Sequence, residues 1–330
     1  MGGRLSDKSE PISWQPAANM EMIQSRAALL ARIRNFFAAR QVIEVETPLL
    51  GSSSATDPHL ESCLVSGERD RYLQTSPEFA MKRMLAADAT AIYQICKAFR
   101  AGESGKRHNI EFTILEWYRP GFDLAQLMDE VEELVELCIG QGGISRVAYA
   151  TAFHEKTGLN PHTAELDALL DLAEAEIGVA REVLVTATDL VTRSTCLDLI
   201  ASHLVEAELS APTFLYDYPA CQCALARIVD DSQGHRVARR FELFVNSMEL
   251  ANGYLELVDA AELRHRFESD NRQRQLLGTR TVPVDEQLLD AMAHGLPDCA
   301  GVAVGVDRLL MVMSGSTTIQ EVLAFPSERA

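Results

Sequence analysis

The chain has 330 residues, 47% of them hydrophobic, with a mean hydropathy near zero, so it can bury one large or two ordinary cores and is too apolar for bulk disorder. Lys and Arg number 30 against 48 Asp and Glu; the net charge of −18 argues against a protein that coats nucleic acid through a broad basic surface, though not against a local basic site. No run approaches 18 apolar residues and no apolar leader opens the chain, while the seven scattered cysteines suit reduced thiols, so a cytoplasmic protein without a membrane span or structural zinc is expected.

Residues 1–18 are polar and Pro-containing and read as a loose tail. From 21 to 40, Ile23, Ala27, Leu30, Ile33 and Phe37 recur at helical spacing, and 42–46 reads as a short strand stopped by Thr47-Pro48. Ser76 as N-cap, Pro77 in the first turn and Glu78 on the helix dipole predict a helix to about Ala87. Strands over 91–100 and 111–119 flank a polar segment, and 124–138 is an acidic amphipathic helix. Residues 141–235 look mostly helical, at 164–176 and 195–209, and carry no motif. Strands at 239–245 and 248–259 are joined by Asn246-Ser247; a charged helix covers 260–277, and a strand at 301–306 leads into a helix from Asp307. Hairpin-linked strands with segregated helices predict an α+β fold, an antiparallel β-sheet flanked by helices.

Three segments carry chemistry. The loop between Arg100 and Ile110 holds Gly102, Gly105, Lys106, Arg107 and His108, which suits a cover over polyphosphate and equally a solvated hairpin tip. Period two then puts Phe112, Ile114, Glu116 and Tyr118 on one face, where a carboxylate among apolar neighbours needs a cationic ligand or a structural ion pair. In the second segment a two-residue loop at Asn246-Ser247 sets Phe244 opposite Glu249 and Glu242 diagonal to it, a pair suited to Mg²⁺ unless it is merely exposed acid. Asn252, Tyr254 and Glu256 fall at odd offsets from Glu249, so one shared pocket predicts a bulge near Asn252-Gly253. The third segment has one face of Gly301, Ala303 and Gly305 and another of Val302, Val304 and Val306, followed by Arg308. A bare face admits a bulky ligand or a tightly packed helix, and Arg308 can stack on an aromatic base.

Together these segments resemble the three motifs of class II aminoacyl-tRNA synthetases of the lysyl branch. The helix ending near Arg40 with Pro48 is similar to motif 1, Phe99-Arg100 through Tyr118 to motif 2, and Gly301 to Arg308 to motif 3. With no room before motif 1 for an anticodon-binding OB domain, the chain resembles the stand-alone family that attaches (R)-β-lysine to elongation factor P. Ser76-Pro77-Glu78, Leu115-Glu116-Trp117-Tyr118 and the tail from Val322 share that pattern.

The resemblance implies a class II catalytic domain over 19–330, a homodimer, ATP and Mg²⁺, elongation factor P as partner, and no tRNA. It implies that Arg100 and Arg308 act on ATP, that Ala101, Gly102, Glu103, His108, Asn109, Phe112, Glu249, Leu250 and Gly305 help hold the nucleotide, and that Glu242 and Glu249 hold the metal. Ser76, Pro77, Glu78, Glu116, Tyr118, Asn252, Tyr254, Glu256 and Ala303 would surround the amino acid. A truncated lysyl-tRNA synthetase and a non-catalytic amino-acid-binding paralogue are the competing readings. Two positions depart from the family pattern. Gly102 stands where motif 2 often has Glu, with Glu103 next, and Ala303 replaces the middle glycine of motif 3.

Overall fold

A computed structural model describes residues 14–185 and 188–330. In chain order the helices are Met20–Ala39 (α1), Glu78–Ala86 (α2), Leu124–Ile139 (α3), Tyr149–Thr157 (α4), Leu166–Leu172 (α5), Arg181–Leu184 (α6), Asp189–Ile200 (α7), Ala260–Leu276 (α8), Glu286–Gly295 (α9) and Val306–Ser314 (α10). The strands are Ile43–Glu44 (β1), Leu50–Gly51 (β2), Leu64–Val65 (β3), Arg71–Leu73 (β4), Ile92–Phe99 (β5), Glu111–Pro120 (β6), Ser145–Ala148 (β7), Thr213–Pro219 (β8), Ile228–Asp230 (β9), Arg236–Val245 (β10), Met248–Leu255 (β11) and Cys299–Gly305 (β12).

A nine-stranded sheet runs β1-β5-β6-β12-β11-β10-β8-β7, with β9 paired to β10. Its middle is antiparallel, and only the outer pairs β1–β5 and β7–β8 are parallel. Strands β2, β4 and β3 form a small second sheet. This is the α+β class expected from the hairpin pattern.

Alternation divides the large sheet into two faces. Tyr93, Leu115, Trp117, Val302, Val304, Phe241, Leu243 and Val245 face the main core, packed with Leu29, Ile33 and Phe37 of α1, Leu127, Val131 and Leu134 of α3, and Leu309 and Leu310 of α10. The opposite face carries Gln94, Glu116, Ala303, Asn252 and Glu242 in one row across five strands. It is flanked by α2, α8 and α9 at one end, packed around Met81, Phe267 and Leu288. At the other end Phe153, Leu169 and Leu197 of α4, α5 and α7 pack on Phe244 and Tyr218.

Several local expectations shift. The buried stripe of α1 is Leu29, Ile33, Phe36 and Phe37, while Ala27 is exposed. Pro77, not Ser76, is the N-cap of α2, and Ser76 Oγ instead accepts from the Glu78 amide at 3.2 Å. The motif-free stretch contributes β7, β8 and β9 as well as helices, because short edge strands give little periodic signal. Residues 1–13 of the expected tail lie outside the described residues. Ala17 and Ala18 already belong to the fold, their amides donating to Ala324 and Leu323 at 2.8 and 3.1 Å.

Candidate active site

The hairpin β10–β11 aligns the site. Asn246 and Ser247 both have positive φ, 53° and 52°, the two-residue turn that matches strand twist, and Phe244 pairs with Glu249. The register then slips once. Leu243 pairs with Ala251, so Leu250 is the extra residue, and the ladder through Asn252 and Gly253 is regular. The expected bulge therefore lies two residues earlier than Asn252. It has the expected consequence, because Glu249, Asn252 and Tyr254 share the face of Glu242.

That face floors a cavity of about 1200 Å³. One end is acidic and deeply buried. Lys82 Nζ lies 2.6 Å from Glu78 Oε1 and 2.6 Å from Glu256 Oε2, with the lysine 2% and Glu256 1% exposed. Tyr118 Oη donates to Glu116 Oε1 at 2.8 Å. Burial, reinforced by the Glu78 charge, pushes the Glu116 carboxyl up to about 8. Burial pushes Glu256 up to about 7 although Lys82 pulls it down. Burial alone would lower the Lys82 ammonium, but Glu256 and Glu78 more than offset this and hold it above its ordinary value. Gly301 permits this convergence: a Cβ there would stand 2.4 Å from the Tyr118 ring and 2.5 Å from Glu256 Oε1. Its bareness admits the protein's own side chains, not a ligand. Asn252 donates to Glu242 Oε1 at 3.2 Å and leaves Oδ1 buried without a partner, an acceptor fitted to an ammonium group.

The other end is basic and more open. Arg100 stands with its guanidinium 5.1 Å from the Phe112 ring centre, 3.7 Å from Glu103 Oε1, and with Nε buried and unpartnered. Arg308 Nη1 donates to the Glu249 carbonyl at 2.8 Å, and Nη2 meets His108 Nε2 at 2.6 Å. Burial and the Arg308 charge lower the His108 imidazole, which keeps it neutral. Gly102 has φ +79°, a region that strains a glutamate, and Glu103 turns back to Arg100 instead. At Gly305 a Cβ would meet Arg308 only at 3.7 Å, so this glycine is not forced by packing.

Between the ends lie Glu242 and Glu249. Burial pushes the Glu242 carboxyl up to about 7 against the pull of Arg240, and Glu249 adds to the rise. Hard oxygen donors that repel one another suit a divalent cation, so both residues fit Mg²⁺. Among the described residues the one tight His/Cys/Asp/Glu group is elsewhere, at His162, Asp231 and His235. Its imidazoles stack 4.8 Å apart at 12°, so their nitrogens lie in nearly parallel planes.

The cavity is lined by Ser76, Pro77, Glu78, Arg100, Glu103, His108, Asn109, Phe112, Glu116, Tyr118, Glu242, Glu249, Leu250, Asn252, Tyr254, Glu256, Ala303, Gly305 and Arg308. Ala101 and Gly102 are not brought to it; the Ala101 amide donates to the Glu61 carbonyl at 2.8 Å. The Leu250 side chain packs into the main core, a consequence of the bulge. Asn109 is occupied at both ends, donating to the Glu111 carbonyl at 2.6 Å and accepting from the Ser327 amide at 2.9 Å, which ties the C-terminal tail to the loop.

Lys82, Arg240, Asp198 and Gln222 were missed. Lys82 stands four residues after Glu78 on one helix face, and Arg240 two before Glu242 on one strand face; both spacings were readable. Asp198 and Gln222 come from the motif-free stretch, where nothing marks them.

The fold and cavity define a class II synthetase catalytic domain, and the family model of class II tRNA synthetases (D, K and N) matches residues 9–329. Among curated relatives, the elongation factor P–(R)-β-lysine ligase of Pseudoalteromonas translucida is 46% identical, covering 96% of this chain and 98% of that protein. Those of Avibacterium paragallinarum and Salmonella paratyphi B are each 43% identical, over 96% and 98% of this chain and 98% and 100% of theirs. The chain belongs to the class II tRNA synthetase family and, within it, to the elongation factor P–(R)-β-lysine ligases.

Proposed function

We propose that the chain joins ATP to (R)-β-lysine as an acyl-adenylate and passes the acyl group to a lysine ε-amine of elongation factor P. The carrying observation is the division of one cavity, with buried carboxylates at one end and the guanidinium groups of Arg100, its Nε unpartnered, and Arg308 at the other. Glu78, Glu116, Glu256 and the unpartnered Asn252 Oδ1 receive the two ammonium groups, beside Tyr118, Tyr254 and the Ser76-Pro77 turn. Arg100, Arg308, Glu103, His108, Phe112 and Gly305 take ATP. The substrate carboxylate is already ionised near neutral pH and needs no general base to attack the α-phosphorus; pyrophosphate leaves. Arg100 and Arg308 offset the charge that develops on phosphate. The acceptor amine, once deprotonated, displaces AMP. Glu242 and Glu249 hold Mg²⁺, which neutralises phosphate charge when bound.

The catalytic unit spans 19–330 and works in a reducing cytoplasm, in keeping with free cysteines throughout; no described helix is long and apolar enough to cross a membrane. A homodimer is supported by exposed Ile43 on edge strand β1 and by Leu49, Leu50 and Val65, apolar surface that follows the motif 1 helix. The −18 balance favours a protein acceptor over tRNA. The test supplies labelled (R)-β-lysine, ATP, purified elongation factor P and bulk tRNA together. Label on elongation factor P is expected, and label on tRNA alone overturns the proposal.

A further inference from the structure

Lys82 lies behind the acidic end of the cavity, bonded to the lining carboxylates Glu78 and Glu256 without itself lining it, and the chemistry above does not use it. Its ammonium is fully enclosed and bridges α2 to the residue just past β11. The charged and titratable groups around it are Glu78, Glu256, Glu116, Tyr118 and Cys299, with Arg227 beyond Glu256. Arg227 is paired with Asp298 at 2.6 Å and reaches only the Glu256 carbonyl, at 3.2–3.3 Å, so Lys82 is the cation bonded to the Glu78 and Glu256 carboxylates themselves.

Once Glu116 and Glu256 ionise, as a bound dication favours, three carboxylates stand against one built-in ammonium and two negative charges are left for the substrate. Two is the number of ammonium groups that the proposed substrate brings. The bridge also fixes both partners. Glu78 sits one turn before Lys82 on α2, and Glu256 is pulled against Gly301, whose missing side chain makes the room. A buried carboxylate without its cation takes up a proton or swings toward water, and either change removes it as an ammonium acceptor.

We propose that Lys82 is a positioning and specificity residue, an internal ammonium that orients Glu78 and Glu256 and sets the pocket's charge to match a diammonium amino acid. This rests on the reading that such an amino acid is activated here.

The test is ATP–pyrophosphate exchange with (R)-β-lysine in the parent, Lys82→Met and Lys82→Ala. The expected KM for the amino acid rises by about thirtyfold or more in Lys82→Met, as for removing one member of a buried pair, while the KM for ATP moves less than about threefold. The acid limb of kcat/KM shifts to higher pH, because Glu256 loses the charge that pulls its carboxyl down. In Lys82→Ala, n-propylammonium, which replaces the deleted atoms, lowers the amino-acid KM again. An unchanged amino-acid KM, or equal loss toward ATP with no shift of the pH limb, overturns the role. If neither variant folds, lysine-selective ¹³C NMR of the parent decides: the Lys82 ε-carbon signal moves on adding (R)-β-lysine and not on adding ATP, and a signal that ignores the amino acid refutes the proposal. A parent that exchanges pyrophosphate with no diammonium amino acid refutes the underlying function instead, so the two failures are distinct.

Discussion

The two ends of the cavity solve opposite electrostatic problems by different means. At the acidic end Lys82, Glu116 and Glu256 are each at most 3% exposed, and every charge is held by a protein partner or neutralised by protonation. At the basic end Arg100, Glu249 and Arg308 keep 30%, 40% and 21% of their side chains exposed, and the ion pairs are long, 3.7 Å from Arg100 to Glu103 and 3.4 Å from Arg308 to the Glu249 carboxylate. Buried pairs are rigid and costly to break, whereas exposed ones are screened and rearrange readily. On the proposed assignment, the contrast means that amino-acid selection is built into the fold, while the nucleotide end is a set of cations that a polyphosphate can gather around itself.

Breaking the basic end is expected to cost the most rate. Arg100→Ala should lower pyrophosphate exchange by about 10²–10³-fold with little change in thermal stability, since the lost donor acts on transition-state charge. Melting curves recorded beside the exchange assay separate the two effects. Breaking the acidic end should trade rate for substrate affinity. Glu256→Ala leaves buried Lys82 with Glu78 as its one carboxylate partner and removes a pocket carboxylate, so a loss of roughly 10²-fold in kcat/KM for the amino acid is expected, with a lower Tm and near-parental ATP binding by calorimetry. Parental exchange in that variant would remove Glu256 from the pocket.

Protonation sharpens the contrast next. Burial raises Glu116 to about 8 and Glu256 and Glu242 to about 7, well above their ordinary range near 4.5. The folded state therefore keeps protons that the unfolded chain releases. Their contribution to stability is complete below the ordinary carboxyl range and is lost as pH rises through 7 to 8. The Tm of the ligand-free protein should fall between pH 5 and pH 8.5, on the order of a few degrees. Addition of (R)-β-lysine should recover more of it at the alkaline end, because a dication favours the ionised carboxylates. The smallest effect belongs to the floor. Ala303 sits in register between Glu116 and Asn252 and lines the cavity between them. Ala303→Gly should raise α-lysine activation relative to β-lysine by about tenfold.

The antiparallel sheet, the two-residue turn at Asn246-Ser247 and the bare face of β12 were legible because each rests on period two or on a local turn signal. The need for a bulge was legible from the parity of Glu249 against Asn252. Its position at Leu250 was not, since parity is satisfied by an extra residue anywhere between them. Glu116 was legible as a carboxylate in want of a partner, which the Tyr118 hydroxyl supplies, but the Lys82 bridge between Glu78 and Glu256 beside it depends on α2 and the end of β11 meeting across the sheet face. The bare face that includes Gly301 reads in sequence as room for a bulky ligand or a packed helix, and the contact that requires this glycine comes from Tyr118 and Glu256, remote in sequence. Asp198 and Gln222 reach the cavity from a stretch whose helices and edge strands carry only packing signals.

The most direct measurement of the division into an acidic and a basic end is pyrophosphate exchange with (R)-β-lysine beside 6-aminohexanoate, which keeps the carboxylate and one amine. Loss of one ammonium leaves buried carboxylates unmatched, so exchange with the analogue should be lower by about 10³-fold or more. Equal exchange with both compounds would contradict a pocket whose charge is matched to a diammonium amino acid.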